Sequence, residues 1–374
     1  MKVLFVATVQ SHIAQFHTGA ISLLKENGYD IHVAARDNLN EKNGLKLENV
    51  DKVFNINFNR SPFSCQNIEA YIQLKKIIND EEYDIIHCNT PVGGIVTRLA
   101  AIKARKKGTI VIYTAHGFHF YKGAPKKNWI IYYPVEKLLA KFTDKLVTIT
   151  EEDYELASNK FNCSIYHVHG VGVKTQKYTS VILDKLDEFR KKEGLKENFV
   201  ILCTGELNAN KNQSTIIKAM PEILKKVPNT KLLLAGNGPY EKLLKRLIDE
   251  LGLKDNVKLL GYRTDLEWYV HACDLVVTAS FREGLPVNVL EAMFCKKVVV
   301  ASNNRGHREL IHDGKSGYLV SAKDKDSFAD KICELIMNKD KCNHMGLYAR
   351  NMIQEYTDIS VRNELATVYD IAIK

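Results

Sequence analysis

Apolar residues along this chain come in short unbroken runs rather than alternating with polar ones. KVLFVAT (2–8), DIHVAA (30–35), YDIIHCN (83–89), TIVIYTA (109–115), KLVTIT (145–150) and SIYHV (164–168) form a first series. FVILCTG (199–205), KLLLAGN (231–237), NVKLLG (256–261), DLVVTAS (274–280) and KVVVAS (297–302) form a second. Strands this uniformly apolar are buried on both faces, and helical patterns lie between them. The combination predicts α/β architecture: parallel sheets with helices on both sides. The alternation breaks near 170–198, where GVGVKTQKYTS leads into the charged helix LDKLDEFRKKEG. Two Rossmann-like, doubly wound domains are therefore expected, 1–175 and 176–357. The last segment, about 358–374 (ISVRNELATVYDIAIK from 359), is expected to pack as a helix back on the first domain.

Composition adds bounds. A chain of 374 residues, 45% hydrophobic and 26% charged, is an ordinary globular protein long enough for two cores. No apolar run approaches the roughly 18–20 residues that a membrane span needs. The opening MKVLFVATVQSHIAQ reads as a first strand, not a signal peptide. The eight cysteines are scattered without a C-x-x-C pair, which fits buried thiols in a reducing cytoplasm better than disulfides or a zinc site. The net charge of +9 is concentrated: residues 101–145 hold ten Lys/Arg against only Glu136 and Asp144. AIKARKKG and KGAPKKNWIIYYPVEKLLAKF interleave these cations with Trp129, Ile130, Ile131, Tyr132 and Tyr133. A basic, aromatic, amphipathic segment suits an anionic membrane surface. No nucleic-acid-binding motif accompanies the charge, so no nucleic-acid partner is expected.

The unusual residues follow strands, where ligands of doubly wound sheets bind. In the first half these are TVQSHIAQFH, NTPVGG (89–94) and HGFHF (116–120); in the second, GELNANKN (205–212), GNGP (236–239, with Asn237) and SFREGLP (280–286). Loops of this kind in both halves imply one cleft between them. Gly205, Gly236, Gly238 and Gly284 let backbone approach a ligand closely, the helices behind them offer N–H groups, and Lys211 adds a charge, an arrangement suited to phosphate. Glycine is also common in such turns for purely local reasons. Pro286 starts a helix with apolar residues on nearly every face, and Glu291 lies inside it. A buried carboxylate needs a partner, either a basic residue or the hydroxyls of a ligand. Glu283 alone reads as a turn or capping residue; with Glu291 it suggests recognition of sugar hydroxyls. His116 follows a strand, with His119 three residues on and His167 and His169 as another near pair. No carboxylate or cysteine spacing turns these into a metal site, and none is expected.

Glu283-Gly284-Leu285-Pro286 through Glu291 resembles the E-x7-E motif of retaining glycosyltransferases of family 4, with the GT-B fold. The resemblance extends to Gly205…Lys211, AGNGP (235–239), DLVVTAS (274–280), SNNRGHRELI (302–311) and DGKSGYLV (313–320), and residues 113–154 resemble the first domain of capsular and exopolysaccharide members. It implies that Glu291 binds the nucleotide ribose, Glu283 holds donor-sugar hydroxyls, Lys211 binds the diphosphate and His116 lies beside the donor sugar near the anomeric carbon. It further implies a UDP-sugar donor, retention of configuration and no metal or other cofactor, the leaving diphosphate being stabilised by helix N-termini and cations. One departure stands out. Many members carry Arg after the glycine of the first phosphate loop, where this chain has Glu206. Either another cation replaces it (Arg282, Arg263 and Arg305 are candidates), or Glu206 pairs with Lys211 and positions it. The loop TVQSHIAQ also lacks the Gly-Gly of many relatives.

The expected function is that of a hexosyltransferase. It moves a hexose or N-acetylhexosamine from UDP to a saccharide acceptor, lipid-diphosphate-linked, in capsule, exopolysaccharide or other glycan synthesis, from a cytoplasmic position peripheral to the inner face of the membrane. No nucleophile stands out, which favours same-face attack over a covalent intermediate. The alternatives are a sugar-nucleotide 2-epimerase and a sugar-nucleotide-binding subunit without catalysis, the latter motivated by Glu206.

Overall fold

Seven of the strands form one sheet. β1 (Lys2–Val9), β2 (Asp30–Arg36), β3 (Lys52–Asn55), β4 (Ile85–Asn89), β5 (Ile110–Ala115), β6 (Lys145–Thr148) and β7 (Ser164–His167) pair in parallel in the order β3-β2-β1-β4-β5-β6-β7. Six form another. β8 (Phe199–Thr204), β9 (Thr230–Ala235), β10 (Val257–Gly261), β11 (Leu275–Thr278), β12 (Val299–Ser302) and β13 (Gly317–Val320) pair in parallel in the order β10-β9-β8-β11-β12-β13. The computed structural model describes residues 1–41 and 44–372. Its contacts divide the chain into Met1–Val171 with Asp358–Lys374, and Gly172–Thr357.

The reason for the unbroken apolar runs is visible in both sheets. Successive side chains of a strand point to opposite faces, and each face carries its own core. In the first unit Leu4, Val6, Ile86, Cys88 and Val111 enter one layer, while Val3, Phe5, Ala7, Ile85 and Ile112 enter the other. In the second, Ile201, Leu232, Val277 and Val300 face one way, and Val200, Leu202, Leu233, Val276 and Val299 the other. Helices close all four layers.

The terminal helix Asp358–Val368 belongs to the first unit. Val361, Ala366, Val368 and Tyr369 complete a core layer there. Arg362 pairs with Glu26, Lys145 Nζ lies 2.6 Å from Asp370 Oδ2, and the Tyr369 hydroxyl meets His87 Nδ1 at 2.5 Å. Arg98 is fully buried in the same unit, 2.9 Å from a Glu136 carboxylate oxygen and 4.0 Å from the centre of the Tyr113 ring. This pair joins the helix Pro91–Ala100 to Lys126–Leu139.

Two strands lie outside the apolar runs read from sequence: β3 and β13. Both are four residues long and both sit at a sheet edge. β3 leaves Val53 45% exposed, so it lacks the two-faced burial that marks the inner strands. The run 145–150 also ends earlier than its apolar pattern, at Thr148. Thr150 turns out to cap the helix Glu151–Lys160 by accepting from Asp153 N.

In each sheet the chain winds outward in one direction and then reverses. The reversals fall between β1 and β4 and between β8 and β11. These are the places where loops at the carboxyl ends diverge and leave a crevice.

Candidate active site

At the second reversal, the loops after β8 and β11 are laced together. Asn210 Nδ2 donates to Arg282 O at 2.9 Å, Phe281 N donates to Asn210 O at 2.8 Å, and Asn212 Nδ2 donates to Ala279 O at 3.2 Å. Asn208 Oδ1 accepts from Lys211 N. The lacing brings Lys211 Nζ to 2.6 Å from Glu283 Oε1, across 72 residues of sequence. Lys211 therefore pairs with Glu283 and not with Glu206, whose carboxylate instead accepts from Asn208 Nδ2 at 3.1 Å. Of the cations considered as replacements at Glu206, Arg263 is held in a two-pronged bond to Asp265. Arg282 is exposed, and its carbonyl anchors Asn210.

The glycines have packing reasons. A Cβ at Gly236, whose φ is +147°, would stand 2.0 Å from Gly205 O; one at Gly238 would stand 2.3 Å from Leu207 O. The loop after β9 thus lies directly on the loop after β8, fixed by Leu207 N donating to Asn237 O at 2.9 Å. A Cβ at Gly306 would meet Gly284 O at 2.3 Å, so the helix Arg305–Leu310 after β12 presses on the Glu283–Gly284 backbone in the same way. Close approach within the protein fixes these positions, whether or not a ligand also comes near.

Pro286 precedes the helix Val287–Phe294, in which Val289, Leu290, Ala292 and Met293 are buried and Leu285 packs against the same layer. Asn288 Nδ2 donates to Thr204 O and ties the helix to β8. Neither this helix nor Gln213–Lys226 has a side-chain N-cap. Thr215 N and Val289 N already donate to Asn212 O and Pro286 O, so the N–H groups that remain to meet an anion are those of the first two residues of each helix. Glu291 is surrounded by protein yet keeps an opening to solvent. Among the described residues no cation forms an ion pair with it; Lys177 and Lys174 act on it only from a distance. Its neighbour is the Tyr178 hydroxyl, which is buried, faces Glu291 and yet completes no well-formed hydrogen bond. Burial pushes the Glu291 carboxyl above its usual range. Among the described residues Glu291 thus has a tyrosine hydroxyl beside it and no ion-paired cation.

His307, beneath Glu283, is fully buried, with Nδ1 2.6 Å from Ser302 O. Burial lowers its pKa to about 4. In the first unit His116 follows β5, its Nε2 3.1 Å from His12 Nε2 and 3.4 Å from Asn89 Oδ1. Burial lowers its pKa to about 4 as well, so the ring is neutral near pH 7. His119 stacks on Tyr132, and His167 and His169 lie against Glu151 and Glu364. Sequence reasoning did not find Tyr178, Asn288 or His307 as members of the second unit's site. It did mark TVQSHIAQFH as unusual, and that was the available signal for His12.

Two doubly wound units of one winding, with paired acids at the reversal of the second, define a glycosyltransferase of the GT-B type. Residues 2–150 match the family described as Glycosyl transferase 4-like, and residues 185–352 match Glycosyl transferases group 1. The chain is 41% identical over 371 residues to a putative glycosyltransferase, EpsD, of Bacillus subtilis (strain 168), covering 98% of this chain and 96% of that one. It is 30% identical over 305 residues to the UDP-Gal:alpha-D-GlcNAc-diphosphoundecaprenol alpha-1,3-galactosyltransferase of Escherichia coli, covering 78% of each. Among solved structures, Anabaena Alr3699/HepE in complex with UDP superposes with a TM-score of 0.77 at 22% identity, over 99% of this chain and 100% of that one. The chain belongs to glycosyltransferase family 4.

Proposed function

We propose that the protein transfers a hexose or N-acetylhexosamine from UDP to a lipid-diphosphate-linked saccharide, with retention of configuration. The observation that carries the donor reading is Glu291: a carboxylate set into a packed helix, without an ion-paired cation among the described residues, eight positions after the Glu283 that pairs with Lys211. Glu291 accepts from the ribose hydroxyls, and Glu283 accepts from hydroxyls of the donor sugar. Lys211 and the N–H groups of Gln213–Lys226 and Val287–Phe294 take up the charge that develops on the leaving diphosphate. The family resemblance assigns His116, neutral near pH 7, to the donor sugar near the anomeric carbon. Stabilisation comes from these fixed groups, and the transfer uses no metal or other cofactor. With no covalent nucleophile assigned, the acceptor hydroxyl attacks from the face that the diphosphate leaves.

The relatives support the donor and acceptor classes. The Escherichia coli protein is named for UDP-Gal and for a GlcNAc-diphosphoundecaprenol acceptor, and the Anabaena structure holds UDP. For the acceptor, the basic segment supplies a second argument. Both of its acids are engaged, Glu136 with buried Arg98 and Asp144 with Arg105. Lys103, Lys106, Lys107, Lys122, Lys126, Lys127, Lys137 and Lys141 are exposed, beside exposed Ile130, Ile131, Val135 and Leu138 on one helix. That surface suits peripheral attachment to an anionic bilayer. Among the described residues no helix is long and apolar enough to cross one.

The test is turnover of the purified chain with UDP-hexoses and an undecaprenyl-diphosphate-linked saccharide, with the product anomer read by NMR. Retention, and loss of turnover in Glu283→Gln, are expected. An inverted product, a trapped glycosyl-enzyme, or C2 epimerisation of donor without acceptor would each overturn the reading. Thermal protection by UDP in preference to GDP and ADP is expected alongside.

A further inference from the structure

Three histidines gather at the reversal of the first sheet. His12 lies in the helix Gln10–Phe16 directly after β1, His17 ends that helix, and His116 follows β5. One ring nitrogen of each lies within 4.8 Å of the other two. Packing alone accounts poorly for the arrangement. The His12 and His116 rings meet edge to face with their Nε2 atoms 3.1 Å apart. One proton between two nitrogens satisfies that contact. His17 is 5% exposed, and its Nε2 has no hydrogen-bond partner among the described residues. Buried polar atoms are nearly always paired, and leaving one unpaired is costly.

We propose that His12, His17 and His116 form a binding site for a borderline divalent transition-metal ion, of the class of zinc, cobalt and nickel, through three imidazole nitrogens. Tetrahedral zinc with Zn–N bonds of about 2.0–2.1 Å needs donors roughly 3.3 Å apart. The His12–His116 pair already stands near that spacing, and a small tilt of His17 brings in the third donor. Imidazole donors select these ions over magnesium and calcium, which take oxygen ligands. Three neutral ligands leave the ion's charge uncompensated, and the nearby cation Arg60 adds to it. The fourth position therefore takes hydroxide or an anion such as phosphate. The ion is not a cofactor of transfer. It ties up a ring nitrogen of His116 and fixes the ring, so loading the site inhibits the enzyme. That consequence rests on the role proposed above for His116; the binding itself does not.

The experiment titrates cobalt(II) into the chelator-stripped full-length protein and reads the visible d–d absorption. One equivalent is expected to bind, without the near-ultraviolet charge-transfer bands of thiolate ligands. His12→Gln and His17→Gln should each weaken binding at least tenfold. His167→Gln combined with His169→Gln, at the other near pair, should leave it unchanged. Unaltered melting profiles for these variants show that the fold survives. No uptake, uptake with thiolate bands, or uptake indifferent to His12→Gln and His17→Gln would each overturn the site. In a parallel arm, zinc should suppress UDP-sugar turnover reversibly with chelator, and His17→Gln should resist that inhibition. A protein that binds cobalt as described but turns over no UDP-sugar keeps the metal site and loses only the functional reading.

Discussion

At the residue scale, Glu291 and Glu283 sit eight positions apart and have different environments. Glu283 is neutralised by Lys211, whereas Glu291 faces a buried tyrosine hydroxyl. Burial raises the Glu291 pKa, so the folded protein resists its ionisation: the penalty is absent at low pH and complete above the folded pKa. Glu291→Gln should therefore raise the melting temperature of the ligand-free protein at neutral pH. The shift should be about 2–4 °C if roughly 1 kcal/mol is relieved. UDP protection should be lost in the same variant. Calorimetry with and without UDP reads both; a variant that melts lower and still binds UDP would contradict the assignment. His307 behaves in the opposite sense. Its folded pKa of about 4 lies below the usual 6.5, so its contribution to stability is whole above pH 6.5. That contribution drains away as pH falls toward 4, at up to about 1.4 kcal/mol per pH unit. Urea unfolding between pH 7 and 4 should show a shallower pH dependence in His307→Gln. Glu283 and Lys211 stood out in the sequence because they follow strands, and Glu291 because a carboxylate interrupts an otherwise apolar helix. The pairing of Lys211 with Glu283 was not legible, because it depends on hydrogen bonds between two loops. Tyr178 lies more than a hundred residues from Glu291, and no local pattern points to it.

At the scale of elements, the inner strands were legible because each is buried on both faces and so written in unbroken apolar residues. β3 escaped because it has one neighbour and little to bury, and β13 because it is only four residues long and opens on a glycine, although most of it is buried. The loops were legible as loops, but the reason for their glycines was not. Gly236 and Gly238 read as openings toward a phosphate, and the structure shows each pressed against backbone of the loop after β8. Gly236→Ala must displace Gly205 O, 2.0 Å from the new Cβ, in a backbone conformation that alanine rarely adopts. A loss of about 1–3 kcal/mol is expected from such overpacking. Because the displaced loop carries Lys211, UDP affinity should fall in the same variant. Alanine at Gly28, which meets nothing within 4 Å, serves as the control for a positive φ alone.

On the scale of the whole molecule, the excess positive charge belongs to one region of the first unit, whose acids are both engaged. Sedimentation with anionic liposomes should recover the protein at low salt and release it as salt rises. Ile130→Ser with Ile131→Ser should weaken binding even at low salt, whereas charge reversal at Lys106, Lys126 and Lys127 should abolish it. Equal recovery on neutral vesicles would count against an electrostatic role. Arg105, already bonded to Asp144, is a poor target for that experiment. The terminal helix carries a different consequence. Val173 bridges to Thr357, and its N–H donates to Tyr356 O at 2.8 Å, so the second unit begins and ends at one stapled point. The polypeptide leaves its first half unfinished, completes the second, and only then returns with the piece the first half lacks. A ribosome that stops after residue 357 should release a sound second unit joined to a first that cannot close its core. Limited proteolysis of such a truncate should spare 172–357 and digest what precedes it.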